Sequence, residues 1–241
     1  MNYFTKQSLI DWEKRDVTFK ETLVNELIGV NDIDSASNGN PSKFSTSIAD
    51  TKEKACQRAI LLNGESYFNG NEIKWIDIEV PVIPGGKARR QCLDLLGKSK
   101  NNYVIVELKV KNKNDKTSQC PLVGLSEILF YNYNLVKYNM DLKLHKNAKF
   151  ENNDNIMHIN NFLMNESLSI FAANTCYWDE WRQNSKILKS LKEIRNIISD
   201  KKGIYIYFAE FNDENFIEQK NVEKNYTPQL LSFESSHWKE V

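Results

Sequence analysis

Two neighbouring apolar runs in this chain of 241 residues carry charges of a kind that does chemistry. The first reads Gln91-Cys92-Leu93-Asp94-Leu95-Leu96-Gly97, the second Tyr103-Val104-Ile105-Val106-Glu107-Leu108-Lys109-Val110. A charge inside an apolar strand costs free energy unless it is paired or binds a metal. Two carboxylates and a lysine brought together here would make a metal-dependent hydrolytic site. Carboxylates suit Mg2+, a hard cation that takes oxygen ligands and keeps several waters, with Mn2+ as a substitute. Such an ion polarises a phosphate oxygen and acidifies a water. Lys109 would orient that water or stabilise charge in the transition state.

Side chains alternate across a strand. Val104, Val106, Leu108 and Val110 therefore share one apolar face, expected to pack on a helix. Glu107 and Lys109 share the other, about 6–7 Å apart. Asp94 stands opposite Leu93 and Leu95 on the neighbouring strand, and one register places it beside Glu107. The carbonyl of Leu108, between the two side chains, is a further candidate metal ligand beside Asp94 and Glu107. The competing reading is an exposed cross-strand Glu–Lys pair with Asp94 as a neighbour. That reading leaves unexplained why both strands are otherwise apolar.

Charge is distributed unevenly. Residues 87–116 hold nine basic and three acidic side chains, a net +6, in a chain whose formal charge is zero. A positive field on these strands is what a polyanionic substrate requires. Lys87, Arg89, Arg90, Lys98 and Lys111 are the candidate nucleic-acid contacts. A solvated lysine-rich hairpin is the plainer alternative.

The elements that must position these residues follow from pattern. Residues 5–29 predict one or two helices, and 31–47 a loop rich in Asn, Ser, Asp and Gly. A helix is expected over 50–63, where Asp50 and Glu53 have capping-box spacing and Gly64 ends it. Strands are expected over 73–83, 90–97 and 103–111, with Pro84-Gly85-Gly86 turning the chain; the short connections favour an antiparallel meander. A helix over 121–139 precedes a strand at 167–173, a helix at 181–198 and a strand at 203–211, a parallel crossover. Residues 146–166 read as an insertion loop. The expectation is an α/β fold, a mixed central sheet flanked by helices, as one domain with its core at about 50–211 and a helical extension over 1–49.

In type, order and strand context, Asp94, twelve intervening residues and Glu107-Leu108-Lys109 resemble the PD-(D/E)XK nuclease superfamily. Residue 93 is Leu where the superfamily's name has Pro. The likeness covers roughly residues 50–175. It implies a restriction-endonuclease-like fold and Mg2+-dependent cleavage of DNA, in restriction, repair or phage defence, with RNA as an alternative substrate. It also implies a glutamate on the first helix, either Glu53 or, as a fallback, Glu65; Glu53 reads equally as the capping partner of Asp50. Some members carry Gln-x-x-x-Tyr on the helix after the third strand. Here Glu127 and Tyr131 have that spacing, on one helical face, with Glu in place of Gln. Glu53, Glu127 and Tyr131 thus join Asp94, Glu107 and Lys109 as candidate catalytic residues. A homodimer would suit cutting both strands of a duplex. A non-catalytic protein on the same fold, or an interaction protein whose basic hairpin binds an acidic partner, are the other readings.

Other classes have less support. Cys56, Cys92, Cys120 and Cys176 are scattered, as are His145, His158 and His237, so neither a zinc cluster nor a disulfide framework is expected. No glycine-rich phosphate loop occurs. No apolar run approaches the roughly 20 residues that span a bilayer, and residues 1–6 lack a signal-peptide core, so a cytoplasmic location is expected. The late aromatics Tyr177, Trp178, Trp181, Tyr205, Tyr207, Phe208 and Phe211 are a conceivable base-stacking surface, but core packing is the favoured use.

Overall fold

A computed structural model describes residues 3–29, 52–82, 92–138, 142–144, 156–157, 167–213 and 236–241. Asp50, Lys87, Arg89, Arg90, the 31–47 loop, the Pro84-Gly85-Gly86 turn and most of 146–166 lie outside the described residues.

Helix α1 (Lys6–Ile10), a 3-10 turn (Trp12–Lys14) and α2 (Val17–Gly29) open the chain; α3 (Lys52–Asn63) follows. Strands β1 (Glu65–Phe68), β2 (Asn71–Pro81), β3 (Cys92–Ser99) and β4 (Asn102–Lys109) lead to α4 (Pro121–Tyr138). A small two-stranded pair, β5 (Leu142–Lys143) and β6 (Ile156–Met157), stands apart. Then come β7 (Leu168–Asn174), α5 (Thr175–Arg182), α6 (Ser185–Lys202), β8 (Ile206–Phe211) and β9 (His237–Glu240).

The expected open, restriction-endonuclease-like sheet is not what forms. The sheet closes into a seven-stranded mixed barrel in the order β1-β2-β3-β4-β7-β8-β9. β2, β3 and β4 pair antiparallel, and β4, β7 and β8 run parallel. Closure comes from two strands that the pattern reading did not anticipate. β1 pairs antiparallel with β2, while β9 pairs antiparallel with β8 and parallel with β1, through Tyr67↔His237 and Phe68↔Trp238. The driving force is apolar. Phe68 and Trp238 are almost fully buried, with Trp238 against Trp75 and Phe211 at ring-centroid distances of 5.3 and 5.9 Å. Four-residue strands show too little alternation to register as pattern. One local signal was present: Asn69-Gly70, both at positive φ (48° and 73°), form the two-residue turn that joins β1 to β2.

Two apolar clusters hold the elements. Val104, Val106 and Leu108 of β4 join Cys56, Ala59 and Ile60 of α3 in one, so the apolar face of β4 does pack on a helix. Ile105 faces the other cluster, which contains α1, α2, α4, α5 and α6. There α4 lies tight on β7: a Cβ added to Gly124 would stand 2.5 Å from the Phe171 ring. The single helix expected over 181–198 is two, because Asn174 and Asn184 each cap a start by accepting from Tyr177 N and Lys186 N. Gly203, left-handed at φ 68°, ends α6 and delays β8 to Ile206. Of the late aromatics, Tyr177, Trp178, Trp181, Phe208 and Phe211 are buried.

Candidate active site

The β3–β4 ladder runs from Ser99↔Asn102 through Leu95↔Val106. One step further along that register, Asp94 meets Glu107. There the side chain of Asp94 substitutes for the backbone: its Oδ2 accepts from Leu108 N at 2.7 Å. The strict alternation expected around Asp94 breaks at this point. Leu93 packs in one cluster and Leu95 in the other. Their partners on β2, Val80 and Ile78, split in the same way. Glu79, between those two, has φ 48°, a left-handed conformation that costs a non-glycine residue about 1 kcal/mol or more. The left-handed Glu79 thus lies where the two strands exchange the faces they bury, across from Asp94.

The two carboxyls are close enough for the charge of Asp94 to raise Glu107. Glu107 is 2 % exposed; Oε1 accepts from Lys109 Nζ, and Oε2 is buried with no hydrogen-bond donor. Lys109 also pairs with Glu127 Oε2 at 2.9 Å, its side chain 13 % exposed. Tyr131, one turn beyond Glu127 on α4, is buried, and the charges of Glu107 and Asp94 add to that burial in raising its phenol well above the ordinary value. From α3, Glu53 feels the charge of Lys109 and acts in turn on Asp94. All six candidate catalytic residues are therefore brought together. Leu108 contributes its N–H to Asp94.

Two further residues complete the cluster. Gln57, 2 % exposed and one turn after Glu53, donates from Nε2 to Asp94 Oδ1 at 2.8 Å. Glu79 is near enough to act on Glu53 and is ion-paired with Lys54 at 3.6 Å. The i, i+4 spacing of Glu53 and Gln57 was the available signal for Gln57. Glu79 had none, since its place depends on the β2–β3 register.

Electrostatics mark the site as crowded with negative charge. Burial pushes the Asp94 carboxyl from 3.8 up to about 7, with Lys109 opposing and Glu53 adding to the rise. Burial and then the Asp94 charge raise Glu107 well above the usual carboxylate range. Burial also raises Glu53, against the pull of Lys109. Burial would lower Lys109, but Glu107, Glu127, Asp94 and Glu53 together hold it above its ordinary value. Lys109 is thus a fixed ammonium and a donor, unsuited to take up a proton.

The candidate nucleic-acid contacts fall in different places. Lys98 is exposed on β3, cross-strand from Lys74 and Tyr103, toward the hairpin end away from Asp94. Lys111 is held by Glu180 Oε2 at 2.7 Å, and that oxygen also accepts from Ser118 N and Oγ at 3.0 and 2.9 Å.

Asp94 and Glu107 are the side chains from which a divalent cation would have to be held. The ligands are hard oxygens, and the undonated, buried Glu107 Oε2 is an atom that a cation or a proton must satisfy. Among the described residues, no three His, Cys, Asp or Glu side chains form a group able to hold an ion. An ion here would have Asp94 and Glu107 as its side-chain ligands and keep several waters, which is how Mg2+ is commonly held. No helix among the described residues is long and apolar enough to cross a membrane. No family model, curated protein or solved structure matches the chain.

Proposed function

We propose that this chain is a Mg2+-dependent nuclease that hydrolyses phosphodiester bonds of DNA. The observation that carries the reading is the pair of half-buried Asp94 and buried Glu107, with Glu107 Oε2 undonated, next to a lysine held permanently charged. An assembly with so many acids around one cation is costly for a fold to maintain, and pKa values perturbed in this way cluster at functional sites. The order Asp94…Glu107-x-Lys109 resembles that of PD-(D/E)XK nucleases and adds support. The reading rests on the chemistry of the cluster and not on the sheet, which closes where that superfamily's is open.

Asp94 and Glu107 would hold the ion. When bound, Mg2+ polarises a phosphate oxygen and acidifies a water. Lys109, kept protonated, donates to the phosphate or to the water and stabilises developing negative charge. Glu127 shares the lysine with Glu107, fixing the position of its ammonium. Tyr131 brings a buried phenol from α4 close enough to Glu107 to feel its charge.

The test is cleavage of plasmid and single-stranded DNA with Mg2+ or Mn2+. Wild type is expected to cut, and Lys109→Ala to lose about 100-fold or more, the scale of one transition-state donor. Equal inertness of wild type and Lys109→Ala over a broad panel of DNA and RNA substrates would overturn the assignment.

A further inference from the structure

We propose that the cavity between the last turns of α6 and the start of β8 binds one unpaired base of a DNA strand, stacked on Tyr205. The inference rests on the nuclease reading above for the identity of its ligand, and it needs neither the acidic cluster nor a metal. Of the late aromatics, Tyr205 alone is exposed, at 58 %. Among the described residues no ring or cation lies against it. A single exposed apolar side chain is ordinary on a protein surface. Tyr205 differs because, with Tyr207, it lines a cavity of about 250 Å³. That is below the roughly 300–1,000 Å³ of a pocket for a drug-sized ligand and suits one planar ring system.

The other walls are polar and divide by role. Arg195 and Glu240 pair at 3.6 Å; Arg195 also stands 5.5 Å from the Phe208 ring centroid, and Glu240 accepts from Asn69 at 3.0 Å. That wall is fixed and close to neutral. Asn196, Ser199 and Asp200, at i, i+3 and i+4 on α6, line the cavity together. Their side chains make no hydrogen bond among the described residues. A free aromatic face beside an amide, a hydroxyl and a carboxylate matches a base on both counts: a platform for its π-face, and acceptors for the amino groups of adenine, cytosine and guanine. Lys201 and Lys202 follow Asp200 in the last turn of α6, both exposed, and offset its repulsion of flanking phosphates. With Arg195 they outnumber Asp200 and Glu240, which favours a nucleic acid over a basic peptide. A base inside a duplex is already stacked on its neighbours, so the cavity selects single-stranded DNA. Lys109 aligns with Glu210 through β7, whereas Tyr205 precedes Ile206 at the other end of β8. The cavity therefore grips the strand away from the acidic cluster and acts on KM, not on kcat.

The experiment measures binding of a labelled single-stranded oligonucleotide to the full chain by fluorescence anisotropy, in EDTA so that the DNA stays intact. A second oligonucleotide carries 2-aminopurine, whose emission is quenched by stacking. Wild type is expected to bind and to quench. Tyr205→Ala should bind about 10-fold more weakly, the scale of one base–aromatic stack, and lose the quenching, while Tyr205→Phe keeps both. The ring is largely exposed, so Ala is tolerated there, and thermal unfolding checks that it is. Equal affinity and quenching in wild type and Tyr205→Ala overturn the inference, as does failure of wild type to bind the single strand. Tyr205-dependent binding of a lysine-rich peptide in place of the oligonucleotide overturns the choice of a base. The cleavage comparison with Lys109→Ala decides the nuclease reading separately: Tyr205-dependent DNA binding without any cleavage sustains the cavity's role and removes the nuclease.

Discussion

Replacing Glu107 by Gln is expected to stabilise the metal-free protein, although it alters a fully buried, hydrogen-bonded residue. Glu107 receives a hydrogen bond from Lys109, leaves Oε2 undonated and faces Asp94. Burial first, and then Asp94, raise its carboxyl well above the ordinary range, so the folded protein penalises its ionised form. For a carboxyl raised on folding, that penalty is absent below the unfolded value. It grows as pH rises between the unfolded and folded values and is complete above the folded one. Replacing buried charged groups by neutral ones of similar volume commonly stabilises by about 1–4 kcal/mol, and about 2 kcal/mol is expected here. Gln keeps an oxygen for Lys109 and offers N–H groups to Asp94 and Glu127. For a chain of this size about 2 kcal/mol corresponds to a rise in Tm of about 4–8 °C. Calorimetry in EDTA at about pH 8 is expected to show this rise. At about pH 5, where wild type has already taken up the protons, the gain should shrink toward zero. A lower Tm for Glu107→Gln at about pH 8, or an equal gain at both pH values, would refute the electrostatic reasoning.

Millimolar Mg2+ is expected to raise the Tm of wild type, by about 2.7 kcal/mol of stabilisation at 100 times Kd. The effect should weaken as pH falls through about 7, where Asp94 takes up a proton that competes with the ion; a Tm response independent of pH would count against Asp94 as a ligand. Gly124→Ala should destabilise by about 1–3 kcal/mol in urea unfolding despite the better helix propensity of Ala, because the added Cβ meets a Phe171 ring locked among Tyr177, Trp178 and Phe208; a stabilised variant would mean that β7 and α4 can separate. Burial pushes Glu180 up, but Lys111 and Ser118 outweigh it and hold the carboxyl below its ordinary value. Its contribution is therefore present above the unfolded carboxylate value and lost as pH falls through the lower folded one. Glu180→Gln should accordingly lower stability near neutrality and flatten the acid limb of the pH–stability curve, and an unchanged acid limb would remove Glu180 from the account.

The long elements were legible because their signals are local. Alternation marked β2, apolar runs marked β3 and β4, and the expected helix over 121–139 formed as α4, ending at Tyr138. Chemical type singled out Asp94, Glu107 and Lys109 as charges in the wrong surroundings, and a two-residue turn between adjacent strands left few registers to choose from. Helical spacing linked Glu127 to Tyr131, whereas the same spacing left Glu53 open between a cap and the site. Lys111 looked like a phosphate contact until its pairing with Glu180 was visible.

What the chain determines by itself is therefore the composition of each strand and helix, and which side chains are too costly to bury without a purpose. Tertiary structure decided where those purposes meet. Closure of the barrel joins residues 65–68 to 237–240, strands too short to announce themselves and stabilised only once Phe68 and Trp238 are buried together. Gln57 reached Asp94, and Glu79 took its strained place beside it, because α3 packs on the apolar face of β4 and β2 kinks against β3. Local periodicity reports which face of an element is apolar; which element covers that face, and which buried polar atom is left waiting there, follows from packing between residues far apart in the chain.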